Sequence, residues 1–150
     1  MALKYYPFYN VEEAVGPGAI NQSDDVMLVQ FLLREIAKDP SVAPDTRPSK
    51  PITVVDGVYS DSLGEWILWY QNTLNAKAPG GILADGRVDP ARGMTNHPKF
   101  FKSTISHTQY TIVGLNASYR ARFKTSHNAL ETDDNVPQAL RSKFAGQDYA

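Results

Sequence analysis

A chain of 150 residues and 16.6 kDa, 42% of it hydrophobic, has enough apolar material for the core of one domain. Its 15 basic and 16 acidic residues leave a formal net charge of −1 and are spread along the chain, which argues against nucleic acid or an anionic membrane surface as partner. Without cysteine there is no disulfide, no thiolate metal site and no cysteine nucleophile.

The first residues, Met1 to Pro7, carry neither a basic segment followed by an apolar one nor a run able to span a bilayer. The expectation is a protein made in the cytoplasm, without membrane insertion, that travels by a non-Sec route or within an assembled particle if it leaves. Residues 1–22 are rich in aromatics, Gly and Pro (Tyr5, Tyr6, Phe8, Tyr9; Gly16-Pro17-Gly18) and predict an irregular arm anchored by its rings.

Ser23 as N-cap, Asp24 and Asp25 at the positive end of the dipole, and Pro40 as the stop predict a helix over 24–38. Val26, Val29, Leu33 and Ile36 share one of its faces. Four prolines in 39–51 exclude a helix or central strand there and predict an extended surface loop.

After the β-branched run Ile52–Val55, Asp56-Gly57 marks a turn and Ser60 is set to cap a helix over 61–76. Leu63, Trp66, Ile67, Tyr70 and Leu74 form its apolar stripe. Leu68 and Trp69 lie outside that stripe and predict a second contact, with another segment of the chain or with a partner. Ala78-Pro79-Gly80-Gly81 ends the helix, and Asp85-Gly86 marks a second turn.

Over 105–123, Ile112, Leu115, Tyr119 and Phe123 recur at helical intervals, although Tyr110-Thr111-Ile112-Val113 also suits a strand; the spacing decides for a helix. A last helix is predicted over 134–145, with Asp134 as cap, Pro137 in the first turn and a stripe of Val136, Leu140 and Phe144. No long internal repeat is visible.

Two stretches resemble the peptidoglycan-binding domain family. Its sequences run through a Val/Leu-Gln helix, an Asp-Gly turn into a helix ending in Phe-Gln, and a second Asp-Gly-x-Val-x-Pro turn. The matching residues here are Val29-Gln30 with Leu33, then Asp56-Gly57 through Leu63, Ile67, Tyr70-Gln71, and Asp85-Gly86-Arg87-Val88-Asp89-Pro90. Ser60 stands where the family has Gly, and Leu63 and Gly93 stand where it has Thr.

The resemblance covers about residues 22–95. It implies a small three-helix bundle of the peptidoglycan-binding type at 23–95; with the irregular arm at 1–22 and a helical C-terminal extension at 96–150 packing on it, both read from the residues, the expected fold is mostly α. It also implies a non-catalytic module whose partner is peptidoglycan or a muropeptide.

The residues themselves give most of the motif a structural role. Each Asp-Gly pairs an Asx-turn former with a residue free to take positive φ, so Asp56, Gly57, Asp85 and Gly86 are expected to build turns. Gln30 and Gln71 sit among apolar neighbours and are expected to hydrogen-bond backbone groups of adjacent loops. Candidate ligand contacts, chosen for position and chemistry, are Tyr59, Trp69, Asn72 and Arg87.

No catalytic residue, metal or cofactor is expected. His97, His107 and His127 lack metal-ligand spacing, no Gly-x-Ser-x-Gly elbow or phosphate-cradling loop occurs, and the Asp24/Asp25 and Asp133/Asp134 pairs read as helix starts. Two alternatives stand beside the binding module. One is a structural or interaction component of a phage particle or secretion machine, with protein components of that assembly as partners. The other is a small cell-wall hydrolase with its chemistry in 96–150.

Overall fold

In the computed structural model, residues 7–42, 44–92 and 109–145 are described. The core is organised around helix α1 (Ser23–Ile36), which runs through it: ten of its fourteen residues are buried. A helix apolar on one stripe would bury only that stripe, but Leu28, Phe31 and Leu32 extend the apolar surface beyond the predicted face, so α1 is covered on several sides. Ser23 is its first helical residue and makes no side-chain cap; the N-cap position belongs to Gln22.

Helix α2 (Asp61–Lys77) starts on Ser60, whose hydroxyl accepts a hydrogen bond from the Leu63 N–H at 3.3 Å. It packs on α1 through Leu63, Ile67 and Tyr70, all in the common core. Helix α3 (Thr111–Arg122) takes the segment that also suited a strand, and its Ile112, Val113, Leu115 and Tyr119 are buried against α1. The fold is thus mostly helical, and the described residues hold only two isolated β-bridges, Val15 with Val88 and Ile82 with Gln109.

The short helices α4 (Lys124–Asn128) and α5 (Gln138–Phe144) follow. α5 begins later than the predicted 134–145, because Pro137 occupies the N-cap; Asp134 does not cap it but lies 3.5 Å from the Arg141 guanidinium. Residues 105–108 of the predicted third helix, together with Tyr5, Tyr6, Gly93, His97 and His107, lie outside the described residues.

The N-terminal arm is locked into this body by polar groups as much as by its rings. Tyr9 is fully buried, stacks edge-on against Phe144, and its hydroxyl donates to His127 O at 2.7 Å while accepting from Leu130 N at 3.1 Å. Its backbone is held at both ends by Asn116 of α3: the Tyr9 N–H donates to Oδ1 and the Tyr9 carbonyl accepts from Nδ2.

Because Asn116 Nδ2 also donates to Ile112 O, its Oδ1 is an acceptor, and the proton between it and His127 sits on His127 Nε2. His127 Nδ1 is then a bare, buried lone pair with no hydrogen-bond partner among the described residues. Burial, with a smaller push from the Arg120 guanidinium, lowers the His127 pKa to about 4.

That depression sets a pH dependence. The unfolded chain protonates this histidine below its ordinary 6.5 while the folded protein resists down to about 4, so stability is full above 6.5 and falls as pH drops toward 4. The loss is on the order of 3 kcal/mol. Urea denaturation of the wild type at pH 7.5, 6, 5 and 4.5 is expected to show it, and His127→Gln to flatten the slope in that window. An equal slope in both proteins would disprove it.

Candidate functional site

The two glutamines predicted to fasten loops do so in the same way. Gln30 Oε1 accepts from the N–H groups of Asp56 and Gly57 at 3.1 and 2.9 Å, and its Nε2 donates to Asp56 Oδ1 and Val58 O at 3.1 and 3.2 Å. Gln71 Oε1 accepts from Gly86 N at 2.8 Å, and its Nε2 reaches Asp85 Oδ1 at 3.3 Å and Arg87 O at 2.9 Å. In each turn the aspartate also closes an Asx turn, accepting from Val58 N or Arg87 N.

Gly57 and Gly86 have φ of +77° and +74°, so each turn uses the residue that takes positive φ without a side-chain penalty. The Val58 N–H, and then the Gln30 amide, hold the Asp56 carboxyl below its usual range. The second clasp reaches further than the first, because Gln71 Nε2 also lies 2.9 Å from Thr111 Oγ1 at the start of α3. One amide thereby connects α2, the second turn and α3.

The four candidate ligand residues fall into two pairs. Tyr59 and Arg87 each follow an Asp-Gly turn; Tyr59 lies just before α2, and the Arg87 carbonyl accepts from Gln71 within it. The Tyr59 hydroxyl sits where a side chain on Gly64 would be, and the Gly86 turn passes over the Gly64 carbonyl. Both are half-buried, and Arg87 is 3.8 Å from Asp89. Burial, then the Asp61 charge, raises the Tyr59 pKa above its ordinary value.

Trp69 and Asn72 lie farther along α2 and share an open groove of about 400 Å3 with Thr46, Thr73, Ala76 and Lys77. Trp69 is only 5% exposed. Its ring meets Trp66 edge-on at 5.1 Å, the Arg47 guanidinium lies 5.8 Å from its centroid, and its N–H donates to Thr46 Oγ1 at 3.1 Å. Its second contact is therefore the proline-rich loop, which Trp66 also holds through a hydrogen bond to Lys50 O at 2.6 Å. Leu68, the other residue outside the stripe, stays 40% exposed.

This burial changes what Trp69 can do: it offers the groove no open ring face. Lys77 has no sequence signal beyond its place in the last turn of α2, and only the structure joins it to Thr46 across the groove. Among the described residues no group of three His, Asp or Glu side chains is placed to hold a metal ion, and no helix is long and apolar enough to cross a membrane.

No family model matches the chain, and no curated protein or solved structure matches it either.

Two stability experiments follow. Gly57→Ala and Gly86→Ala both place a Cβ at positive φ, at about 1–2 kcal/mol each. Gly57→Ala is expected to cost more, because its Cβ would also lie 2.7 Å from Ser23 O, whereas the Gly86 position has nothing nearer than 4.0 Å. Equal melting temperatures for the two variants would contradict the close approach. Trp69→Ala is expected to lower unfolding free energy by roughly 3–5 kcal/mol, the range for truncating a well-buried tryptophan. A change under about 1 kcal/mol would place its ring at the surface.

Proposed function

We propose that the protein is a non-catalytic binding module for bacterial cell-wall peptidoglycan. The observation that supports this most is the paired clasp. Gln30 with Asp56-Gly57 and Gln71 with Asp85-Gly86 are the residues on which the sequence resembles the peptidoglycan-binding domain family, and they interlock by one shared hydrogen-bond pattern. Fold similarity alone would not assign a ligand. The groove beside Trp69 adds what a wall fragment needs: an apolar floor with polar groups at its rim.

A second reading, a structural component that docks on other proteins, is favoured by a different surface. Val54 and Val58 are 58% and 64% exposed beside a cleft of about 210 Å3 bordered by Ile52 and Leu63. Exposed branched side chains around a cleft suit contact with a protein.

Sedimentation with purified sacculi separates the two. The binding module is expected to move into the pellet in proportion to sacculus concentration, to release no soluble muropeptides on long incubation, and to be displaced by added soluble fragments. Protein that remains in the supernatant at every sacculus concentration would overturn the wall-binding reading and leave the docking one. Release of fragments would overturn the non-catalytic part.

A further inference from the structure

Trp69, Asn72, Thr73, Ala76 and Lys77 are spaced i, i+3, i+4, i+7 and i+8 and form one face of α2. The groove over that face differs from the rest of the polar surface near the clasps in one respect: its rim groups are unused. The Asn72 carboxamide and the Lys77 ammonium have no hydrogen-bond or ion-pair partner among the described residues, whereas Gln30, Gln71, Asp56 and Asp85 are all committed to turns. Thr73 donates to Trp69 O, and the Trp69 N–H is taken by Thr46.

The shape and charge of the groove select among the parts of peptidoglycan. A pyranose ring binds best on an open aromatic face, and Trp69, 5% exposed, offers none. Among the described residues Lys77 is the one charged side chain that lines the groove, and the Arg47 guanidinium, 5.8 Å from the Trp69 centroid, adds to its positive character. Lys77 lies in the last turn of α2, where the helix contributes roughly half a negative charge, and the full charge of the ammonium outweighs it.

We propose that this groove seats the free carboxylate end of a peptidoglycan stem peptide. The terminal carboxylate pairs with Lys77, the last peptide group hydrogen-bonds to Asn72, and the small terminal side chain packs on Ala76 beside Trp69. The origin of the peptide rests on the wall-binding reading; the preference for a carboxylate over a sugar rests on the groove alone.

The test uses the full chain labelled with 15N and three probes: a purified disaccharide tetrapeptide, the same muropeptide with its carboxylates amidated, and the peptide-free disaccharide. The free-acid muropeptide is expected to shift the Trp69 indole N–H and the backbone amides of Asn72 to Lys77. Amidation and Lys77→Gln are each expected to weaken binding about tenfold, the loss of one charge-assisted hydrogen bond, while Lys77→Arg retains most of it. Both variants are at an exposed position, and their melting temperatures serve as the control on folding.

Equal shifts from the peptide-free disaccharide, or undiminished binding by Lys77→Gln, would overturn the assignment. If the wild type and Lys77→Gln pellet equally with sacculi and no probe moves the α2 resonances, wall binding stands and the groove assignment falls. If the free-acid muropeptide shifts the groove but intact sacculi are not bound, the groove chemistry stands and the wall-binding reading falls.

Discussion

Burying α1 on several sides takes polar side chains out of water along with the apolar ones. Asp25, Gln30 and Glu35 are 0%, 6% and 3% exposed, and a group removed from water must find its hydrogen bonds inside the protein. Each finds them on a different part of the chain. Asp25 accepts from the N–H groups of Glu12 and Glu13 and fixes the arm, with Lys143 of α5 at 3.5 Å. Gln30 holds the first Asp-Gly turn, and Glu35 gathers Arg34, Lys38 and Asn135. Apolar burial drives the collapse, but these three residues specify which segment lands where.

The same logic continues outward. α2 carries Gln71, fully buried, which orders the second turn and reaches α3; α3 carries Asn116, which grips the backbone of Tyr9. Arg122 at the end of α3 meets Asp39 at 2.9 Å, so the proline-rich loop is held from that side as well as by the two indole N–H groups of α2. Each of these connections runs through a polar side chain, and those of Gln71 and Asn116 are buried. The arm, α1, α2 and the C-terminal helices share one core.

How much of this was legible in the sequence depended on whether a signal was local. The helices α1 and α2 were readable because their apolar residues recur at helical spacing and their ends are marked by Ser60, Pro40 and Pro79. Gln30 and Gln71 were readable as fasteners because an amide among apolar neighbours has few other ways to be satisfied. Asp25 was not: beside Asp24 at a helix start it looks like a dipole partner, and its real contacts are backbone groups twelve and thirteen residues upstream. Ser23 and Asp134 look like caps because both precede apolar stripes, but Gln22 and Pro137 hold those positions. The cover on Trp69 was half legible: periodicity put it off the main stripe, but which segment would meet it depends on the path of the proline-rich loop.

The candidate site follows from what α2 has left over. One of its sides packs into the core through Leu63, Ile67 and Tyr70, and its two tryptophans hold the loop. The clasp at Gln71 consumes the polar group nearest the second turn. What remains is the strip through Asn72, Ala76 and Lys77, whose side-chain polar atoms have no structural partner among the described residues. Substitutions there leave the hydrogen-bond network of the fold intact, whereas Trp69, at the floor of the same groove, belongs to that network through Thr46. The proposed ligand can therefore be tested at the rim without disturbing the fold, while substitution at the floor tests the fold itself.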